Sequence, residues 1–479
     1  MTFSIVGVII CATLLVIGYI IRAPLIVALL SSLALGATAF AELTALGGAT
    51  PPISSLLTLL FILSLATHKR FIGEFVSVLK ANSTGALICL LTVYAVVGTI
   101  ILPRMFADQT TTFIPINGRI TEVPLSPSSK NITQSAYFVL SAAAFFAFAM
   151  WLRQPRSFSR LKLGFYTFTA LSIVLGYLDW AGKKAGFTDV LAPIRTAHYE
   201  LLTNSQLSTT NFWRVAGGQA EASAYGAYSL IGFAFCVVYW HRTGSVPALL
   251  LTIGILAMLL LSTSTTAYAG LAILTLFATW SAIIRFVQGY LQKQDIIFVV
   301  FVAIFAMVAL YIYVFQQSII DPYIILFQEA IINKSQSASA KERFYWNYKS
   351  MLSVLDTYGL GIGFGSSRSS SWIISVITQL GFAGALVMFY LAFQIFYGLR
   401  GISRSRRDRE IADVASGARS AAIASIVASS IAGSGVAPGV IFFLGLAAIN
   451  EARRQLALQQ PVLRGGYDEV ADVRTQASR

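Results

Sequence analysis

Apolar runs long enough to cross a bilayer recur along nearly the whole chain, and no other feature restricts its fold as strongly. Hydrocarbon offers no water to solvate backbone N–H and C=O groups, so each such run must satisfy them internally as a helix. Only 11% of the 479 residues are charged and the mean hydropathy is +0.73, whereas soluble domains carry roughly 25% charged residues. The expected fold is all-α: a polytopic integral membrane protein of about 13 helices, at 3–21, 24–41, 53–67, 83–103, 132–151, 163–180, 223–240, 246–262, 266–284, 296–315, 371–399, 418–432 and 437–449. The first run lacks a basic n-region and further spans follow, so it reads as a retained helix. Residues 1–450 are expected to form one transmembrane domain. Residues 451–479, with Pro461, Gly465 and Gly466 and no apolar periodicity, read as a disordered cytoplasmic tail.

A net charge of +14 would suggest nucleic acid in a soluble protein. Here its distribution gives another meaning. Connections bearing Arg22, His68-Lys69-Arg70, Arg153 to Lys162, Arg242, Arg285 to Lys293 and Arg400 to Arg419 fall on one side of the expected topology. That side holds 22 of the 34 Lys and Arg and 9 of the 20 acids, a net of +13, leaving +1 on the other. The basic side is therefore the cytoplasmic face, attracted to anionic membrane lipid. No nucleic-acid partner is expected.

Three connections on the opposite side are long: 104–131, 181–222 and 316–370. Lengths beyond about 15 residues point to function, and all three open to one compartment. The first is rich in Thr, Pro and Ser with Asn117-Gly118 as a turn signal. The third holds a mixed polar and apolar helical stretch around Glu342 to Leu355, of re-entrant or interfacial type. On the basic side, Gly401 to Arg419 reads as a solvated juxtamembrane helix.

Chemistry-bearing residues concentrate in these outward segments. Arg214 lies in Asn211-Phe212-Trp213-Arg214-Val215-Ala216-Gly217-Gly218, and Arg343 in Lys341-Glu342-Arg343-Phe344-Tyr345-Trp346. One arginine near a membrane edge commonly just snorkels to lipid phosphate. Two, on separate outward segments and each close to tryptophan, suit a fork that chelates a diphosphate and stabilises charge as it departs. For a general base the outward candidates are Asp189, His198, Glu200, Glu221, Glu329, Glu342 and Asp356, with His198 and Glu221 preferred. Gly359, Gly361, Gly363 and Gly365 recur at intervals of two and precede Arg368 and Ser369 to Ser371. They read as bare backbone for close approach of a sugar, as a small-residue packing seam, or as a flexible lead into the next span. The hydroxyl run Ser262 to Thr266, between two closely spaced spans, reads as helix termination and capping. Cys11, Cys89 and Cys236 lie inside apolar runs as small hydrophobes, and the scattered His68, His198 and His241 offer no zinc pattern. No metal or cofactor is expected.

The chain resembles bacterial exopolysaccharide and O-antigen polymerases, of the superfamily that also contains the O-antigen ligases. The resemblance rests on Arg214-Val215-Ala216-Gly217 before a span, on Ser262-Thr263-Ser264-Thr265-Thr266, and on Arg343 followed by Tyr358-Gly359-Leu360-Gly361-Ile362-Gly363 and Gln379-Leu380-Gly381-Phe382-Ala383-Gly384. It spans roughly residues 130 to 450. It implies a membrane-embedded glycosyltransferase architecture of the GT-C type and a metal-independent, inverting polymerisation of undecaprenyl-diphosphate-linked oligosaccharide repeats. The reaction would take place at the periplasmic face of the bacterial inner membrane. Donor and acceptor would both be lipid-linked, and a chain-length regulator protein would be a further partner. Arg214 and Arg343 match the two outward arginines of that family and would hold the donor diphosphate, with His198 and Glu221 as the catalytic candidates for proton removal. Trp213, Gly217, Tyr345, Gly361, Gly363, Arg368 and Ser370 are the substrate-binding candidates. Two departures stand out. Thr265 occupies the arginine position of the usual Ser-Arg-Gly, and Ser370 stands where ligases carry histidine. The second argues against ligase-type glycan transfer, the alternative enzyme. A lipid-linked glycan transporter or flippase is the alternative outside enzymes, disfavoured by spans nearly free of charge and without internal repeats.

Overall fold

A computed structural model describes residues 2–44, 48–81, 83–116, 119–187, 189–197, 201–203, 213–289, 293–297, 299–300, 307, 338–397, 399, 405–433 and 435–458. Its helices are α1 (Ile5–Ile20), α2 (Pro24–Ser32, continued by a 3-10 turn at Leu33–Leu35), α3 (Ile53–Ala66), α4 (Phe71–Ala81), α5 (Ser83–Met105), α6 (Ser129–Leu152) and α7 (Ser157–Lys184). They continue with α8 (Ala222–Thr243), α9 (Val246–Leu261), α10 (Thr265–Val287), α11 (Ala338–Asp356), α12 (Trp372–Phe396), α13 (Arg406–Ala432) and α14 (Val440–Leu458). Among the described residues, seven of these, α5, α6, α7, α8, α10, α12 and α13, are long and apolar enough to cross a membrane. The pair α3–α4, bent by 106°, makes an eighth if counted as one span. The protein is thus a multi-pass, predominantly helical membrane protein. The count of about 13 is not reached by these criteria, because α1, α2 and α9 are short and α14 carries Glu451, Arg453 and Arg454. The run 296–315 lies almost wholly outside the described residues.

Helix α2 occupies the core. Every residue from Ile26 to Leu35 is buried, the signature of a helix apolar all round. It packs on α1, α3 and α7, and a side chain at Gly164 of α7 would meet the Leu30 Cδ1 at 2.7 Å. Helix α13 packs against α8 and α14 through small residues: Ala418, Ala421 and Ala422 are fully buried, and a Cβ at Gly445 of α14 would stand 2.4 Å from that of Ala422. Close backbone approach through small side chains is how helices associate where lipid removes the hydrophobic drive between them. Helix α10 sits at the other extreme, only 6% of its apolar window being buried in the fold.

The two ends of the bundle differ. One gathers the basic residues: Arg153 pairs with Glu451 at 3.2 Å, Arg242 with Asp413 at 2.7 Å, and Arg285 with Asp295 at 2.6 Å. Helix α4 belongs here, tied through Ser77 to Arg153 at 3.0 Å. At the other end, segment 104–131 is more ordered than a loop. Strands β3 (Thr111–Ile116) and β4 (Arg119–Pro124) pair antiparallel from Thr111↔Pro124 to Ile116↔Arg119; the expected turn at Asn117-Gly118 lies outside the described residues. A second small sheet joins β1 (Thr2–Phe3) to β2 (Ala41–Glu42), so two hairpin-sized sheets accompany a fold that is otherwise helical, in keeping with the all-α class. An isolated hairpin is marginal. This one is stabilised by α11, where Glu122 accepts from Tyr345 Oη at 2.7 Å and pairs with Lys349 Nζ at 3.1 Å.

Two further expectations change. From Arg406 onward the juxtamembrane stretch and the span at 418–432 are one helix, α13, begun by a capping box between Ser405 and Asp408, while residues 401–404 lie outside the described residues. The tail does not start at 451: α14 runs to Leu458, because Glu451 pairs with Arg153 and Arg454 and Gln455 donates to the Leu152 carbonyl at 3.0 Å. Residues 459–479 lie outside the described residues.

Candidate functional site at the loop-rich end

Asp179 and Lys183 are four residues apart on α7 and therefore share a face. Both are 1% exposed and bond at 2.9 Å. Around them the chain after α7 is wound. Arg195 Nη2 reaches Asp179 at 3.2 Å, and its other guanidinium nitrogens bond Asp189 and the Gly217 carbonyl. The backbone N–H groups of Ala216 and Gly217 donate to Asp179 at 2.7 and 3.2 Å, while Lys183 Nζ donates to the carbonyls of Thr203 and Arg214, each at 2.8 Å. Buried charges persist where every lone pair and proton is matched, and this cluster matches them by gripping the loop backbone. Gln219 completes the anchor, donating to the Leu33 carbonyl at the end of α2 at 2.7 Å.

The segment so held presents Arg214. Burial pushes its guanidinium below the usual arginine range; the Glu221 carboxylate opposes this and the Arg343 cation reinforces it, with Tyr268 of α10 also acting on it. Glu221 at the start of α8, Arg343 of α11 and Tyr268 of α10 therefore each lie within electrostatic reach of Arg214. Arg343 stands one turn before Asn347, whose side chain accepts from Ser370 N at 2.8 Å, so the pair share the stripe of α11 that faces the start of α12. The Arg214 Nε, Thr263 Oγ1 and Ser264 Oγ are buried with no hydrogen-bond partner. Ser262 does terminate α9 by donating to the Leu259 carbonyl at 2.7 Å, but Ser264, at the N-cap of α10, makes no side-chain cap. The capping role expected of this run accordingly holds for Ser262 and fails for Ser264. Unsatisfied buried polar atoms are rare enough to require a reason, and a ligand's oxygens are one.

The other candidates divide. Glu221 is half-buried at the N-cap of α8, bonded by Ser223, and beside Arg214. Asp189 is committed to Arg195 and to Leu191 N at 3.1 Å, Asp356 accepts from Thr110 at 2.7 Å, and Glu342 is exposed. His198, Glu200 and Glu329 lie outside the described residues. Trp213 is half-buried next to Arg214. Gly217, at φ +53°, has its bare Cα against the Tyr225 ring, which a Cβ would meet at 2.6 Å.

Gly359, Gly361, Gly363 and Gly365 all have positive φ, between 74° and 84°. Added side chains would strike Phe382, the Gly381 N at 2.5 Å, Pro103 Cδ at 2.9 Å and the Lys130 carbonyl at 2.4 Å respectively. Of the alternatives open for this run, the packing seam describes the geometry: Gly361 and Gly363 are covered by protein and present no bare face to a sugar. Asn131 Nδ2 seals the seam by donating to the Phe364 carbonyl at 2.6 Å. Arg368 and Tyr345 belong to a neighbouring cluster on the hairpin side of α11. Arg368 lies over the Trp346 ring at 5.9 Å, its N–H donates to the Phe113 carbonyl at 2.9 Å, and its charge acts on Lys130. Tyr345 is held by Glu122 and Phe113.

Sequence reasoning missed the Asp179–Lys183–Arg195 anchor. Its one local signal was an acid–base pair four residues apart at the end of a span. No family model matches this chain, and no curated protein matches it significantly.

Proposed function

We propose that the chain polymerises oligosaccharide repeats carried on undecaprenyl diphosphate. In this reading it is a membrane-embedded glycosyltransferase of about 13 spans in the bacterial inner membrane, its basic end cytoplasmic by the positive-inside rule and its loop-rich end periplasmic. The supporting observation is the half-buried Arg214, whose Nε is buried and unpartnered, within electrostatic reach of Arg343. Two like charges drawn together in a partly dry site are costly unless an anion joins them, and a diphosphate offers oxygens to both forks. The sequence resemblance to polysaccharide polymerases supports the same choice.

The step is a substitution at the anomeric carbon. The acceptor hydroxyl oxygen forms the new glycosidic bond, the bond from that carbon to the donor diphosphate breaks, and the electron pair leaves with the diphosphate. Arg214 and Arg343 carry the added charge, and Glu221 takes the acceptor's proton. The unpartnered Thr263 and Ser264 hydroxyls supply hydrogen bonds to the sugar or diphosphate. Transport is not favoured by the buried charges of α7, since Asp179 and Lys183 are committed to holding the Arg214 loop.

The test is polymer formation by purified protein in proteoliposomes supplied with lipid-linked repeats. Arg343→Lys and Arg214→Lys, at equal abundance, should each lose about a hundredfold in rate, because the charge stays and the planar fork goes. A wild-type chain-length profile from Arg343→Ala would remove that residue from catalysis.

A further inference from the structure

A cavity of about 640 Å³ opens at the basic end, bounded by α4, α5, α6, α12 and α14. Arg153, Arg453 and Arg454 line it with Glu451 as the sole carboxylate, so three guanidiniums against one acid leave two positive charges. Glu451 accepts from Arg153 at 3.2 Å and from Arg454 at 2.7 Å, and Arg453 caps the carbonyls of Gln394 and Tyr397 at the end of α12. A guanidinium has five N–H donors, and these contacts use only some of them. The Asn450 Nδ2, also in the lining, is buried without a partner. Tyr390 and Tyr397 line the cavity yet are 48% and 52% exposed on the flank of the bundle. Tyrosine in that position is the usual marker of the headgroup level of a bilayer.

We propose that this cavity binds the phosphate of an anionic lipid headgroup from the adjoining leaflet, which the charge rule makes the cytoplasmic one. The surplus positive charge selects an anion, the arginine forks and the Asn450 amide fit phosphate oxygens, and the exposed Tyr390 and Tyr397 in its lining favour a ligand still attached to its acyl chains. Exposed Leu386 and Phe393 on α12 and Leu90 on α5 offer those chains an apolar flank. The site stands at the opposite end from Arg214 and is independent of the proposed polymerase activity.

The experiment is native mass spectrometry of the purified full chain with phosphatidylglycerol, phosphatidylcholine or inorganic phosphate. Phosphatidylglycerol should be retained in preference to phosphatidylcholine. Arg453→Gln combined with Arg454→Gln should weaken retention about tenfold, the scale of one charge-assisted hydrogen bond. Arg453 also caps α12, so a second variant decides if that one misfolds: Ala457→Phe fills the mouth with every charge kept, and should weaken retention likewise. Equal retention of the two lipids, or undiminished retention in Ala457→Phe, overturns the proposal. Binding of inorganic phosphate without lipid would overturn the lipid assignment.

Discussion

Asp179→Asn is the sharpest probe of the loop-rich end. Asparagine keeps the shape and some hydrogen bonding but removes the charge that compensates Lys183 and Arg195, both 1% exposed. Stranding a buried charge costs about 3–5 kcal/mol. Arg195 retains Asp189, which is 19% exposed, so the lower end, about 3 kcal/mol, applies. In chains of 150–250 residues one kcal/mol moves Tm by roughly 2–4 °C and larger chains respond less, so a fall of about 5 °C is expected. Lys183→Met should cost less, about 2 kcal/mol, since Asp179 keeps Arg195 while the Thr203 and Arg214 carbonyls lose a donor. Asp189→Asn should cost least. Thermal unfolding of the detergent-purified variants, followed by the loss of monodisperse protein, gives the ranking. A wild-type Tm for Asp179→Asn, or a larger loss for Asp189→Asn, would refute the assignment of this cluster as the anchor.

Gly361→Ala, at φ +84° and with a Cβ 2.5 Å from the Gly381 N, should cost upwards of about 2 kcal/mol. Folded yield beside that of Gly73→Ala, where nothing lies within 4 Å, checks it. Glu122 is held below the ordinary glutamate value of 4.5, first by the Thr111 hydrogen bond and then by Tyr345 and Lys349. A lowered folded pKa means that its contribution is present above the unfolded value and is lost as pH falls through the folded one. Hairpin docking, read from a label on β4, should loosen only below the ordinary carboxylate range, and Glu122→Gln should abolish that transition. Chelation of divalent cations should leave polymer formation unchanged, and rescue by magnesium would count against the arginine clamp.

Much of the helical layout was legible because lipid leaves a spanning backbone one solution, and ends such as Ser83, Thr265 and Trp372 fall near the limits of their apolar runs. What escaped depends on distant partners. Thr111-Thr112-Phe113-Ile114-Pro115-Ile116 is a weak strand by itself and becomes one against α11. Helix α4 is amphipathic and, at 11 residues, too short to register as a span, and the chain bends by 106° between α3 and α4 to lay it at the basic end. The glycine run announced close approach without naming the neighbour, and that neighbour is the backbone of α12 and the outer ends of α5 and α6. Arg214 and Arg343 stood out by residue type. Asp179 did not, because the groups it organises are the Ala216 and Gly217 amides and Arg195, which no local pattern connects to it.

The glycine seam also sets an order of assembly. Asn131 and Phe364 meet across 233 residues of sequence, so α5 and α6 are synthesised long before the glycine segment that fills the gap above them. Until α11 and then that segment emerge, the hairpin has no helix to rest on and the crevice at Gly98 and Pro103 stays unfilled. The late third of the polypeptide therefore works as a closing stitch, and a nascent protein that stalls before Gly359 is inserted but unfinished.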